Sequence, residues 1–148
     1  MADTSIQLEV ENWIRSSWLP QKFNQDFIQK NLELSSGGNF EFDAVNEDES
    51  IVVNISTSGA KTSGGKMGSG KLQKIRADAY FLLLLSESIR KILVFTEEDM
   101  VELCLREKRN GRMPKNIEIF LVSLPENLRV KLDDAKKIAS SEVTPNNS

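Results

Sequence analysis

Histidine is absent from this 148-residue sequence, and cysteine occurs once, at Cys104. Without an imidazole there is no Ser-His-Asp or Cys-His nucleophile and no His-bearing zinc site. A single thiol excludes an intrachain disulfide and a cysteine-rich zinc cluster, and it suits a reducing compartment. Cys104 stands between Leu103 and Leu105 in a predicted helix and reads as a buried thiol, with no base to activate it. No aromatic residue falls between Ser50 and Ala79, so that stretch offers no platform for base stacking. Long apolar runs are missing too. The most apolar segment, Ala77 to Leu85, is far too short to span a bilayer, and the opening MADTSIQLEV lacks the features of a signal peptide. The expectation is a cytoplasmic protein with no membrane partner.

What is present is an ordinary globular composition, 39% hydrophobic and 28% charged, with room for one domain and one core. The net charge of −3 argues against a generic nucleic-acid binder, but the charges are unevenly placed. From Ser50 to Ala77 there is no acidic residue, while Lys61, Lys66, Lys71, Lys74 and Arg76 supply five of the 19 basic groups. The remainder then carries 14 basic against 22 acidic groups, a +5 segment on a −8 body. Such a segment could receive an anion, or it could be a solvated loop that keeps the protein soluble.

Along the chain, Ile6, Val10, Trp13 and Ile14 recur at helical spacing with Trp18 one turn on, and Pro20 is expected to stop this helix after Leu19. Thr4 or Ser5 could cap its start. Glu11 lies just beyond the apolar stripe, either on the surface or turned toward a sheet that the helix covers. Phe23 to Leu32 is predicted to begin helical and turn to strand near Leu32 and Leu34. Ser35 to Gly38 makes a turn. A helix is predicted from Lys71 or Leu72 to about Leu85, with Lys71, Lys74 and Asp78 on one face. KILVFT, from Lys91 to Thr96, reads as a strand buried on both faces. Thr96 and Asp99 resemble a capping pair for a helix from Glu97 to about Arg109, which Gly111 and Pro114 end. Ile117 to Leu124 is a further predicted strand, Pro125 onward a short helix through Ile138, and Ser140 to Ser148 a disordered tail. The alternation implies an α/β sheet with helices on both faces and an edge formed by the early strands, in one domain over residues 1–139.

Ser58 to Lys71 holds five of the eight glycines and three lysines. Gly65 to Lys71 satisfies the G-x4-G-K spacing of a phosphate loop, yet Leu72 stands where Ser or Thr would bind magnesium. Seven residues also separate this motif from the preceding strand, and no later strand ends in aspartate. Lysines and amides before a helix N-terminus favour phosphate of some kind, without nucleotide hydrolysis.

The sequence is organised around Phe40 to Thr57, FEFDAVNEDESIVVNIST. Two strands flank an acidic turn at Asn46 to Ser50. Period-two alternation puts Glu41, Asp43 and Val45 on one face of the first strand, and Val52, Asn54 and Ser56 on one face of the second. If the strands pair, Asp43 lies beside Asn54 and Ser56.

This layout resembles the PD-(D/E)XK, restriction-endonuclease-like phosphodiesterases, over roughly Ile6 to Leu124. In that family an aspartate on one strand and an E-x-K tripeptide on the next position magnesium and water. F-E-F-D43-A-V and I-V-V-N54-I55-S56 stand in those places, with Asn54 for the acid and Ser56 for the lysine. The resemblance implies a restriction-endonuclease-like mixed sheet flanked by helices. It also implies magnesium-dependent phosphodiester hydrolysis on nucleic acid, DNA first, with activity intact, reduced or lost. Asp43 would hold Mg²⁺ with Asn54 or the Ile55 carbonyl. Lys61, Lys71 or Lys74 would replace the missing lysine, and Glu11 or Asp78 would add charge. Lys61, Lys66, Lys71, Lys74 and Arg76 would meet backbone phosphates. The alternative is a non-enzymatic module of the same fold that binds nucleic acid or a partner protein, and an oligomer is compatible with either.

Overall fold

The computed structural model describes residues 5–61 and 68–143. Its first helical segment follows an apolar stripe of Ile6, Val10, Ile14, Leu19 and Phe23, of which all but the half-buried Phe23 are buried. The step from Ile14 to Leu19 is five residues, one too many for an α-helix. The chain accommodates it with α1 (Ser5–Trp13), a π-helical turn (Ile14–Trp18) and α2 (Leu19–Phe23), in which the Leu19 amide donates to the Ile14 carbonyl. Pro20 therefore does not end the helix, contrary to the expectation from sequence. It is the second residue of α2, directly after the π-helical turn, where the widened turn departs from the i−4 pattern that a proline ring obstructs. The chain instead turns at Asn24, in the left-handed region at φ 56°.

No helix continues beyond that turn. Strand β1 (Phe27–Glu33) follows at once, then β2 (Asn39–Asn46) and β3 (Ile51–Ser56), an antiparallel meander in which β1 forms the outer edge. The predicted hairpin across Asn46–Ser50 is present. Its turn is held by Asn46, whose Oδ1 accepts the Ile51 amide at 2.9 Å and whose Nδ2 donates to Ser50 Oγ and Gln25 Oε1. Two crossover units then add parallel strands. Helix α3 (Ser69–Leu83) leads to β4 (Arg90–Phe95), and α4 (Glu98–Arg109) leads to β5 (Ile117–Leu121). The sheet is thus mixed, in the order β1-β2-β3-β4-β5. β5 stops three residues short of the predicted Leu124: β4 ends at Phe95, whose carbonyl takes the Val122 amide, and no strand remains to pair with.

Each face of the sheet has its own core. Val52, Leu93 and Phe95 pack with Ile75, Ala79 and Leu82 of α3 and Met100, Leu103 and Cys104 of α4. On the other face Val53, Ile55, Ile92 and Val94 pack with Ile6, Val10 and Ile14, and with Leu128 and Leu132 of α5 (Glu126–Val143). KILVF is buried on both sides, as its unbroken apolar run predicts. Helix α5 is longer than expected and carries the chain through Val143; of the predicted tail, residues 144–148 lie outside the described residues. The Thr96/Asp99 capping pair does not form. Asp99 Oδ2 accepts the Ala60 amide at 3.1 Å, and Thr96 Oγ1 donates to Glu97, so the loop after β3 takes the carboxylate from the helix.

Candidate functional site

Period-two alternation fails in β2, and it fails at Asp43. Ile28 pairs with Val45 and Lys30 with Phe42, so opposite the single residue Gln29 the strand supplies two, Asp43 and Ala44. This is a β-bulge. One consequence is that Val45 lies in the same core cluster as Phe42 rather than sharing a face with Asp43 as predicted. A second is that the β2–β3 ladder, which pairs Val45 with Val52 and Ala44 with Val53, stops there.

Side chains take over where the ladder ends. The Asp43 amide donates to Asn54 Oδ1 at 3.4 Å, and the Ile55 amide donates to Asp43 Oδ2 at 2.7 Å. Arg15 Nε, from the π-turn, donates to the Asp43 carbonyl at 2.6 Å. Three polar atoms of Asp43 are therefore fixed. Its Oδ1 has no hydrogen-bond partner among the described residues.

The surroundings come from both helical layers. Asn54 Nδ2 donates to the Asp78 carbonyl at 3.3 Å, which ties β3 to α3. Asp78 in turn faces Lys74 one turn earlier, with Nζ to Oδ2 at 3.6 Å. From the opposite layer, Glu11 stands one turn before Arg15 on the helix covering the other face.

Burial dominates the titration of all three carboxyls. It pushes Asp78 up to about 6, the neighbouring Lys74 charge opposing and the Asp43 charge adding. Burial also raises Asp43, although the Ile55 amide and the charges of Lys74 and Arg15 pull the other way. Glu11 is raised by burial first and by Asp43 second, against Arg15 and Lys74. Each acid thus feels another, and the two cations do not neutralise the cluster.

Among the sequence-predicted residues, the structure brings together Asp43, Asn54, Ile55, Lys74 and Glu11, with Asp78. Ser56 is not among them. It is buried at the end of β3, where its Oγ accepts the Ser58 amide at 3.3 Å. Lys71 Nζ donates to the Lys61 carbonyl at 2.9 Å, and Lys61 itself is exposed. Arg76 is ion-paired with Glu107 of α4, so its charge is engaged within the protein. Lys66, and Gly65 with Met67 of the phosphate-loop spacing, lie outside the described residues. Sequence reasoning missed Arg15; the available signal was its position four residues after Glu11 on the same helix face.

Asp43, Asp78 and the Asn54 amide oxygen are hard oxygen donors of the kind that suit magnesium. Among the described residues, no three His, Cys, Asp or Glu side chains converge closely enough to enclose an ion, so any such set would lean on Asn54 or a backbone carbonyl. Comparison with known protein families, with characterised proteins and with solved structures finds no match to this chain. No helix among the described residues is long and apolar enough to cross a membrane.

Proposed function

We propose that the chain is a diverged phosphodiesterase of the restriction-endonuclease-like kind that acts on nucleic acid, DNA in the first instance. The observation that carries this reading is the hold on Asp43: three of its polar atoms are bonded, and Oδ1 is left open in a cluster of buried acid with Lys74 alongside. The mixed five-stranded sheet with helices on both faces, in which Asp43 and Asn54 lie on adjacent strands, is compatible with this reading.

In this reading Asp43 and Asp78 would hold a magnesium ion, with the Asn54 amide oxygen or the Ile55 carbonyl completing the protein's share. When bound, the ion supplies Lewis-acid polarisation of the phosphate and a more acidic water. The chain's own residues do the rest. Lys74, exposed at the rim, places positive charge beside the phosphate and takes the role left open by Ser56. Glu11 adds negative charge from the facing layer, which favours cation over anion at the centre. Lys61, exposed after β3, meets backbone phosphate without reading sequence.

The test is magnesium- or manganese-dependent nicking of plasmid DNA by the purified chain. Asp43→Ala should abolish it. Cleavage that survives this substitution removes Asp43 from the chemistry.

A second reading has its own support. Asn54 and Ser56 bring no charge, and no three metal-ligating side chains of the usual types converge among the described residues. That favours a non-enzymatic module in which the fold binds nucleic acid or a partner protein. Salt-sensitive DNA binding with no cleavage in either metal would support it for nucleic acid.

A further inference from the structure

The π-turn and the β-bulge are separate irregularities in the chain, 28 positions apart at their point of contact, and one hydrogen bond joins them. The turn supplies Arg15; the bulge supplies the Asp43 carbonyl, at the residue where the β2–β3 ladder has ended. π-turns inside α-helices and bulges inside sheets both re-aim side chains, and both are enriched beside functional sites. Here they re-aim toward each other. The guanidinium is braced on its own helix, with Nη1 donating to Asn12 Oδ1 at 2.7 Å while Nε donates to Asp43 at 2.6 Å. A planar fork bonded at two points is a rigid strut, which a lysine ammonium on four methylenes is not.

We infer that Arg15 is the positioning residue of the site: its Nε bond to the Asp43 carbonyl fixes the bulge, and the bulge keeps the Asp43 carboxylate seated on the Ile55 amide with Oδ1 open. The role goes deeper than the reading of Asp43 as a metal ligand and rests on it only for its use. The strut itself is a property of the chain without metal. Glu11, Lys74 and Asp78 surround the same carboxylate and do not bond the Asp43 backbone, so none of them duplicates the contact.

Amide hydrogen exchange, read residue by residue, tests the strut. Asp43→Ala sets the value for the Ile55 amide once its acceptor is gone. In Arg15→Gln, protection at the Ile55 and Asp43 amides should fall about tenfold toward that value while the Val53 and Leu93 amides keep theirs, because local opening is changed and global stability is not. Arg15→Lys, which retains the charge, should behave like Arg15→Gln, and it decides the matter if the glutamine variant does not fold. Unchanged Ile55 protection in a folded variant overturns the inference. So does a uniform fall at all amides, which would make Arg15 merely a stabilising residue. Full protection in Arg15→Lys would assign the effect to charge and also overturn it. Manganese titration of the same proteins by electron paramagnetic resonance separates the two levels. A wild-type chain that binds no manganese loses the metal-site reading, while hydrogen exchange still decides the role of Arg15. Where the wild type does bind, Arg15→Gln should weaken binding about tenfold, as loss of an outer partner of a ligand does.

Discussion

Glu97 and Asp78 are nearly equally hidden, with side chains 17% and 14% exposed, yet their carboxyls are displaced in opposite directions. Burial acts on both. At Glu97 it is outweighed by direct bonds from Arg129 at 2.8 Å and Lys136 at 2.9 Å, with Thr96 Oγ1 adding a third, and the carboxyl is held below its ordinary range. Among the described residues Asp78 has one ion-pair partner, Lys74, at 3.6 Å, and burial prevails. Glu107 belongs with Glu97: the Arg76 bond, aided by Arg112, holds it low between α3 and α4. Asp43 and Glu11 belong with Asp78. The molecule therefore has carboxylates that close the fold and carboxylates left short of cations, and the second group is the one gathered at the end of the β2–β3 ladder. A strained electrostatic cluster around an open oxygen is what separates a candidate site from a structural ion pair.

Removing one acid from each group should change stability with opposite signs. Glu107→Ala leaves Arg76 without its partner at the α3–α4 contact. It should destabilise the protein by about 2–3 kcal/mol, at the low end for a broken buried pair because Arg76 is 39% exposed. Urea unfolding at pH 7.5 measures it. A loss below the error of that measurement would mean that the pair is solvent-screened and that the division between the groups is one of geometry only.

Asp78→Asn should act with the opposite sign, raising stability at pH 7.5 by about 1–2 kcal/mol, less than the full displacement would give because the asparagine amide is itself a polar group to be kept hydrogen-bonded where it is buried. The pH dependence follows from the direction of the shift. A carboxyl titrating at 3.8 unfolded and about 6 folded binds more proton in the native state between those values. Its contribution is fully present below about pH 4 and is lost as pH rises through 6. The gain from Asp78→Asn should accordingly be absent at pH 4, grow between 4 and 6, and level off above 7. Glu107 and Glu97, held low, contribute stability at neutral pH that disappears as acid protonates them. Thermal melts of wild type and both variants across pH 2–8 should diverge in these two directions, Asp78→Asn between about pH 4 and 6 and Glu107→Ala below the ordinary 4.5 of a glutamate.

Much of the scaffold is legible in the sequence because its signals are local and repeated. KILVF announces a strand buried on both faces, the Asn46–Ser50 turn announces the hairpin, and Gly111 marks the end of α4. What escapes is set by contacts between distant segments. Pro20 looks like a stop because the five-residue step from Ile14 to Leu19 carries no meaning in isolation; only a covering sheet makes that step worth a π-turn. Val45 falls on the wrong face because a bulge is invisible to a period-two count. At the site, residue type is readable and partnership is not. Asp43, Asn54 and Lys74 stand out in the sequence, whereas the spending of Arg76 on Glu107, of Asp99 on Ala60 and of Ser56 on its own turn depends on where α4 and the loop after β3 lie.

The smallest expected effect discriminates between the two lysines that sequence reasoning could not separate. Lys71 and Lys74 lie one turn apart on α3, but Lys71 Nζ is committed to the Lys61 carbonyl while Lys74 Nζ lies near Asp78. Both side chains act at the surface, so Lys71→Ala and Lys74→Ala should each change stability by less than about 0.5 kcal/mol. Their effects on titration should differ. Lys74 is the leading influence that opposes burial at Asp78, so Lys74→Ala should move the Asp78 midpoint upward from about 6, and Asp43 with it. Lys71 figures in neither, so Lys71→Ala should leave both where they are. Carboxyl carbon shifts followed by NMR from pH 3 to 9 read each acid separately. An Asp78 midpoint equally displaced in both variants would place Lys71 within the cluster and undo the assignment of Lys74 as its one rim cation among the described lysines of α3.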